Sequence, residues 1–218
     1  MRIACISYRD WALEIYDQIV NITNNTCLII RSRDQFSEEV ISDFKPDVIL
    51  FYGWSWIVSE NITSKFKCVM LHPSPLPKYR GGSPIQNQII AGEKESKVTL
   101  FFMNEEMDAG DIIAQKHYSL DGSLADVLKR ITKIGIELTL QHIVNVDNIF
   151  STPQNSQLAT YCKRRKPSDS EITIEELMIK PAEFIYNKIR MLADPYPNAY
   201  IKTIDNKLLY IKEVFLKE

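Results

Sequence analysis

The sequence predicts an α/β protein: a mostly parallel sheet with helices on both faces, followed by a small C-terminal α+β tail. Three observations carry that expectation. Short runs that are apolar throughout, such as Val48-Ile49-Leu50-Phe51-Tyr52, have no helical period and read as strands covered on both faces. They alternate with helix-like segments, the pattern that right-handed crossovers between parallel strands impose. From about residue 150 the chain turns polar and the alternation stops, so a main domain over 1–150 and a helix-and-hairpin subdomain over 151–218 are expected.

Taken in order, residues 2–7 form a first buried strand. Arg9 to Ile22 is helical, with Trp11, Leu13, Ile15, Tyr16, Ile19 and Val20 as its apolar positions. Cys27-Leu28-Ile29-Ile30 is a second strand. Glu38 to Phe44 is a short helix stopped by Pro46, and 48–52 is the third strand. A polar helical stretch from Ser59 to Phe66 leads into Cys68-Val69-Met70-Leu71. Ser83 to Ala91 is the next helix, with Gly92 as its stop. Val98 to Met103 and Ile112 to about Leu120 are strands joined by an acidic loop, and Ser123 to about Val146 is a long amphipathic helix. In the tail, helices over Ile172–Met178 and Pro181–Leu192 precede two strands that flank the turn Asp205-Asn206-Lys207. This is a Rossmann-like arrangement, and such sheets bind ligands beyond the carboxyl ends of their strands.

The bulk numbers exclude several classes. With 218 residues the chain can build one sizeable core. It is 45% hydrophobic and 25% charged, with a net charge of −2, so no global attraction to nucleic acid or anionic membrane is expected. No apolar run reaches the ~20 residues of a bilayer span, and the N-terminus turns polar too soon for a signal peptide; a soluble cytoplasmic protein is expected. Cys5, Cys27, Cys68 and Cys162 lack metal-ligand spacing and read as buried free thiols, and no metal site is expected. Ser7-Tyr8-Arg9-Asp10 stands where a glycine-rich dinucleotide turn would follow the first strand, which argues against nicotinamide or ATP binding by the familiar loops.

One stretch is built as a site. After the strand ending at Leu71 comes a lone His72, then prolines at 73, 75 and 77 that deny the backbone both helix and ladder. Gly81-Gly82 frees the chain for close approach, and Ser83-Pro84 reads as an N-cap with Pro at the first helical position.

His72-x-Ser74-x-Leu76-Pro77-x-x-x-Gly81, with Asp108-Ala109-Gly110-Asp111 beginning 36 residues after the histidine, resembles the 10-formyltetrahydrofolate-dependent formyltransferases. That superfamily includes glycinamide ribonucleotide, methionyl-tRNA and sugar-nucleotide amine formyltransferases. The likeness runs from the first strand to about Leu120. A weaker echo continues through Arg164-Arg165-Lys166-Pro167-x-Asp169 and Ala193-Asp194-Pro195-Tyr196-Pro197. One departure stands out: the family pattern is Asn-x-His, and the position two before His72 is Met70. A thioether cannot donate the hydrogen bond that the family asparagine gives the formyl oxygen, so either the chain is impaired, another donor (Gln86, Asn104 or a backbone N–H) stands in, or the histidine alone suffices.

The resemblance implies an acyl transfer to a neutral amine, in which His72 moves protons and supports charge while Asp108 orients and pairs with the ring. It implies 10-formyltetrahydrofolate as co-substrate, its pterin in a slot made by Trp54 to Trp56 and the loop Met103-Asn104-Glu105-Glu106. Ser74, Arg80, Gly81 and Gly82 are expected on the acceptor side, with Arg80 meeting a phosphate or hydroxyl near a helix N-terminus. His117 and His142 lack such a setting and are expected to be structural. The basic run 163–166 reads as a solvated face.

The expected acceptor is a nucleotide-linked amino sugar rather than nucleic acid. Only about fifty residues follow Pro167, and the acidic balance argues against tRNA. Methionyl-tRNA formyltransfer is the alternative enzyme. From another class, Met70 leaves open a non-catalytic relative that binds folate or a nucleotide sugar. The two C-terminal strands could complete a partner's sheet and so form a homodimer.

Overall fold

The computed structural model describes residues 1–144 and 148–217. Its centre is a six-stranded sheet built from β1 (Arg2–Ile6), β2 (Thr26–Ile30), β3 (Val48–Tyr52), β4 (Cys68–His72), β6 (Glu95–Phe102) and β7 (Ile112–Ser119). A two-residue strand, β5 (Arg80–Gly81), lies between β4 and β6 in the chain. The spatial order is β2-β1-β3-β4-β6-β7. The first four strands run parallel, and β6 and β7 are antiparallel to their neighbours. From β1 the chain moves outward to β2 and then returns to β3 on the other side of β1. A crevice therefore opens beyond the carboxyl ends of β1 and β3.

β3 is buried at every position, as its unbroken apolar run requires. α1 (Asp10–Ile22) presents Trp11, Ala12, Ile15, Tyr16 and Ile19 to one sheet face. Ile15 and Ile19 are fully buried, each contributing roughly 1.5–3 kcal/mol by leaving water. α5 (Leu124–Thr139) begins at a capping box formed by Ser123 and Asp126 and packs beside α1. Their approach is close. An ideal Cβ on Gly135 would fall 2.5 Å from Ile15 Cδ1 and 2.9 Å from Leu71 Cδ1, so only glycine leaves those methyls their room. The opposite face is covered by α2 (Glu38–Phe44) and the one-turn α3 (Glu60–Thr63), through Ile41, Ile62 and an aromatic group centred on Phe51 and Trp54.

Several boundaries differ from the sequence expectation. The helix placed at Ser59–Phe66 is only the four residues of α3, whose one apolar side chain, Ile62, is buried while Phe66 packs on the same cluster beyond its end. The long helix expected to reach Val146 is α-helical to Thr139 and continues in wider, π-type turns over Leu140–Val144; residues 145–147 lie outside the described residues. α4 (Pro84–Ile90) starts after Ser83, but that serine has φ 53° and no capping hydrogen bond from its side chain. Its hydroxyl instead accepts from the Arg165 N–H at 3.1 Å.

The tail holds β8 (Tyr161–Cys162), α6 (Ile174–Ile179), α7 (Ala182–Met191) and a hairpin of β9 (Ala199–Lys202) with β10 (Leu208–Ile211). It shares the main core. Ile172, Ile189, Met191, Leu192 and Ala199 belong to the same buried cluster as Ile15 and Leu71. All four cysteines are free, with Cys5 and Cys68 buried and the other two partly so. Among the described residues no helix is long and apolar enough to cross a membrane, and no cluster of His, Cys, Asp or Glu is arranged to hold a metal.

Candidate active site

β4 ends at His72, and the proline-rich segment after it folds back so that its own backbone meets the ring. His72 Nε2 lies 2.9 Å from Tyr79 O. A carbonyl can only accept, so the neutral ring carries its proton on Nε2 and presents Nδ1 as a base. Nδ1 faces Asp108 Oδ2 across 3.7 Å, and the histidine and aspartate side chains are 7% and 11% exposed. That gap is longer than a hydrogen bond. Asp108 Oδ2 is held by the Gly81 N–H at 2.7 Å, and Phe101 meets the imidazole edge to face at 6.5 Å.

Both nitrogens of the ring are served by unusual backbone. Tyr79 has φ 59° and Asp108 has φ 53°, the left-handed region that costs a side-chain-bearing residue roughly 1–2 kcal/mol. Such backbone persists only where its surroundings over-determine it, and here two instances meet at a single ring. The acidic loop is pressed against β6: an ideal Cβ on Gly110 would fall 1.8 Å from Phe102 O, so this position of the motif admits only glycine.

The remaining expected residues divide into several groups. Ser74 and Arg80, expected on the acceptor side, are both buried. Ser74 is fully buried, and its hydroxyl donates to Lys78 O at 2.9 Å, bracing the loop from inside. Arg80 is 2% exposed, with Nη2 and Nε donating to Gln154 Oε1 at 2.7 and 3.2 Å and Nη1 donating to Tyr161 Oη at 3.1 Å. Its donors point into the protein. Gly81 and Gly82 do line the loop, but their N–H groups are engaged by Asp108 and by Cys162 O. Trp54 is 7% exposed in the aromatic group with Phe36 and Phe51, whereas Trp56 is 42% exposed and packs on Tyr8. Met103, Asn104, Glu105 and Glu106 border an open cleft of about 400 Å³ together with Glu60, Thr63 and Ser64 of the α3 region. Met103 and Trp54 meet in the same apolar cluster, but the cleft is not lined by either tryptophan. Met70, on the His72 face of β4, packs into that cluster as well. His117 is exposed on β7, opposite Lys97 of β6, and His142 is half-buried after α5.

Gln154 escapes sequence reasoning entirely. Its amide donates to Asp108 O at 2.9 Å and Gly110 O at 2.7 Å, while its oxygen takes both Arg80 bonds. It is carried there by Thr152, which exchanges two 2.8 Å backbone bonds with Ile112, and by β8 pairing with β5. The polar stretch near 150–165 is thereby stitched to the site.

Residues 16–178 match the model of the formyl transferase family. The chain belongs to that family. Among curated relatives, methionyl-tRNA formyltransferase of Campylobacter curvus is 33% identical over 160 residues, 73% of this chain and 52% of its own length. The chain thus spans about half the length of such relatives. Among solved structures, a methionyl-tRNA formyltransferase from Clostridium thermocellum has a TM-score of 0.83 and 29% identity over 97% of both chains. HypX from Aquifex aeolicus, solved with tetrahydrofolic acid, has a TM-score of 0.83 at 21% identity and covers 98% of this chain and 37% of its own. A 4-N formyltransferase from Francisella tularensis has a TM-score of 0.75 at 19% identity, covering 100% of this chain and 98% of its own. At those two identities the likeness is one of fold.

Proposed function

We propose that the protein transfers a formyl group from 10-formyltetrahydrofolate to the amine of a nucleotide-linked amino sugar. The observation that carries the reading is the His72–Asp108 pair: a base nitrogen fixed by Tyr79 O, facing a carboxylate across 3.7 Å at the mouth of the sheet. The amine nitrogen attacks the formyl carbon, and His72 Nδ1 takes the proton the amine sheds. Asp108 balances the resulting imidazolium. Collapse of the tetrahedral carbon breaks its bond to the folate nitrogen, which receives that proton from His72. The products are the formamide and tetrahydrofolate. Met70 offers no donor to the oxyanion, so the imidazolium beside it supplies the positive charge.

Whole-chain fold likeness does not separate the acceptors, since it is shared with a 4-N formyltransferase and, at higher identity, with a methionyl-tRNA formyltransferase. The Arg164-Arg165-Lys166-Pro167 and Asp194-Pro195-Tyr196-Pro197 segments, which extend the sequence resemblance into the tail, lie against the β1 and β3 ends through Arg164 and Tyr196. The curated relatives' name favours a second reading, methionyl-tRNA as acceptor. The net charge of −2 weighs against it.

The test is release of tetrahydrofolate from 10-formyltetrahydrofolate with a panel of amino-sugar nucleotides, and separately with initiator methionyl-tRNA. Turnover is expected with at least one sugar nucleotide. His72→Ala and Asp108→Asn are each expected to lower kcat by about 10²-fold or more with the melting profile retained. Turnover confined to the tRNA would replace the acceptor; full activity in His72→Ala would remove the mechanism.

A further inference from the structure

The crevice between β1 and β3 holds two guanidiniums that no acid neutralises. Arg9 follows β1, at the N-terminus of α1. Its guanidinium lies over the Tyr8 ring at 4.5 Å and over the Tyr196 ring at 4.9 Å, and its methylenes press on Gly53. Among the described residues, none of its side-chain N–H groups has a hydrogen-bond partner. Arg164 comes from the tail and has one bond, Nη1 to Ser55 O at 3.2 Å, just past β3. No carboxylate among the described residues lies within 4 Å of either, and neighbouring Asp10 is exposed on its own turn. Trp56, 42% exposed, packs on Tyr8 and on Trp54, each at 4.7 Å, and the Tyr8 hydroxyl is tied to Ser55 Oγ at 2.6 Å.

We infer that Arg9 and Arg164 form the binding site for the diphosphate of a nucleoside diphosphate, with the base stacked against Trp56. A guanidinium stacked on two phenol rings with no hydrogen-bond partner among the described residues keeps its planar N–H fork free for phosphate oxygens. Its place is the topological switch point of the sheet, where α/β folds take ligands. The N-terminus of α1 adds positive potential at the same spot. Charge decides against the cleft beside Met103, which Glu60, Glu105 and Glu106 line with no basic residue, and in a second cleft Arg165 and Lys188 already donate to Asp169 O and to the Glu176 carboxylate. The arginine site is also continuous with the reacting pair: an ideal Cβ on Gly82 would fall 2.5 Å from Arg164 Cα, and Gly81 holds Asp108. A sugar linked to the diphosphate can therefore point its amine toward His72. This assignment rests on the acceptor class proposed above and replaces Arg80 as the phosphate ligand.

The experiment is calorimetric titration of the full chain with uridine and thymidine diphosphates, inorganic pyrophosphate and 5-formyltetrahydrofolate, each at two salt concentrations. At least one nucleoside diphosphate is expected to bind, more weakly at high salt, and pyrophosphate to compete with it. Arg9→Gln and Arg164→Gln are each expected to weaken it by about tenfold or more. Trp56→Ala is expected to weaken the nucleotide and leave pyrophosphate unchanged. Arg164 is exposed, so its variant keeps the test alive should Arg9→Gln fail to fold. Binding needs no turnover and is read whether or not formyl transfer is observed. The assignment is overturned if the wild type binds no nucleoside diphosphate, or if Arg164→Gln binds it as tightly as the wild type does. It is equally overturned if the arginine variants weaken only the folate, whose glutamate carboxylates would then be the anion served.

Discussion

A single amide, Gln154, links the buried cation Arg80 to the two carbonyls that flank Ala109, those of Asp108 and Gly110. Truncating it would leave Arg80 without its main acceptor and Asp108 without its backbone brace. Gln154→Ala is accordingly expected to cost about 1–3 kcal/mol of stability and to lower kcat roughly tenfold with KM for both substrates near the wild-type value. A shift in the pH–rate profile should accompany the fall, because the Asp108–His72 spacing sets the proton traffic. A lower melting temperature with kcat and pH profile unchanged would make Gln154 purely structural. Residue-level legibility follows the same line. His72 stands out at a strand end before a proline-rich segment, whereas Asp108, a bare acidic loop residue by composition, is singled out only by the resemblance of its DAGD motif. The burial of Arg80 is not legible, since an arginine between prolines and glycines carries no local sign of it. Gln154 and Arg9 were invisible because their roles come from Thr152 pairing with Ile112 and from the tail delivering Tyr196.

At the level of elements, periodicity placed the strands and the major helices, and it faltered where local preference and packing disagree. Gly135 shows how far packing can decide. In an isolated helix, Gly→Ala at an interior position gains about 0.8–1 kcal/mol. Here the new methyl would lie 2.5 Å from Ile15 Cδ1, itself fully buried in the α1–α5 seam with Leu71 behind it. Overpacking of that kind costs typically 1–3 kcal/mol, so the sign reverses. Gly135→Ala is expected to be destabilised by about 1 kcal/mol net, read as a lower urea midpoint with an unchanged m-value. A midpoint at or above wild type would mean that the seam relaxes. Nothing in the local sequence marks this glycine as different from a helix breaker, because its neighbours Ile15 and Leu71 are distant in the chain.

Across the whole molecule, composition divides the chain near residue 150, yet the physical connections run over that line. Lys188, 4% exposed, sends Nζ to both Glu176 oxygens at 2.8 and 2.7 Å and to Glu171 O, and so clamps α6 to α7. Arg190, two residues on, donates to Leu120 O and Gly122 O at 2.8 Å each, and Lys94 pairs with Glu183. The tail thereby grips the end of β7 and the start of α5 while it delivers Arg164 and Tyr196 to the crevice. Removing one partner of a buried ion pair strands the other charge. The Glu176 side chain is 23% exposed, and that places the expected cost of Glu176→Ala near 2 kcal/mol, below the range for a fully enclosed pair. For a chain of this length that corresponds to a fall in Tm of roughly 4–8 °C. Because the tail's apolar residues belong to the main core, the loss should appear as one shifted transition, coincident by tryptophan fluorescence and far-UV circular dichroism. A biphasic melt, with the tail leaving first and Trp11, Trp54 and Trp56 unmoved, would show instead that the two parts fold separately. In that case the crevice could lose Arg164 while His72 and Asp108 still faced each other, and formyl chemistry and acceptor binding would separate along the same boundary.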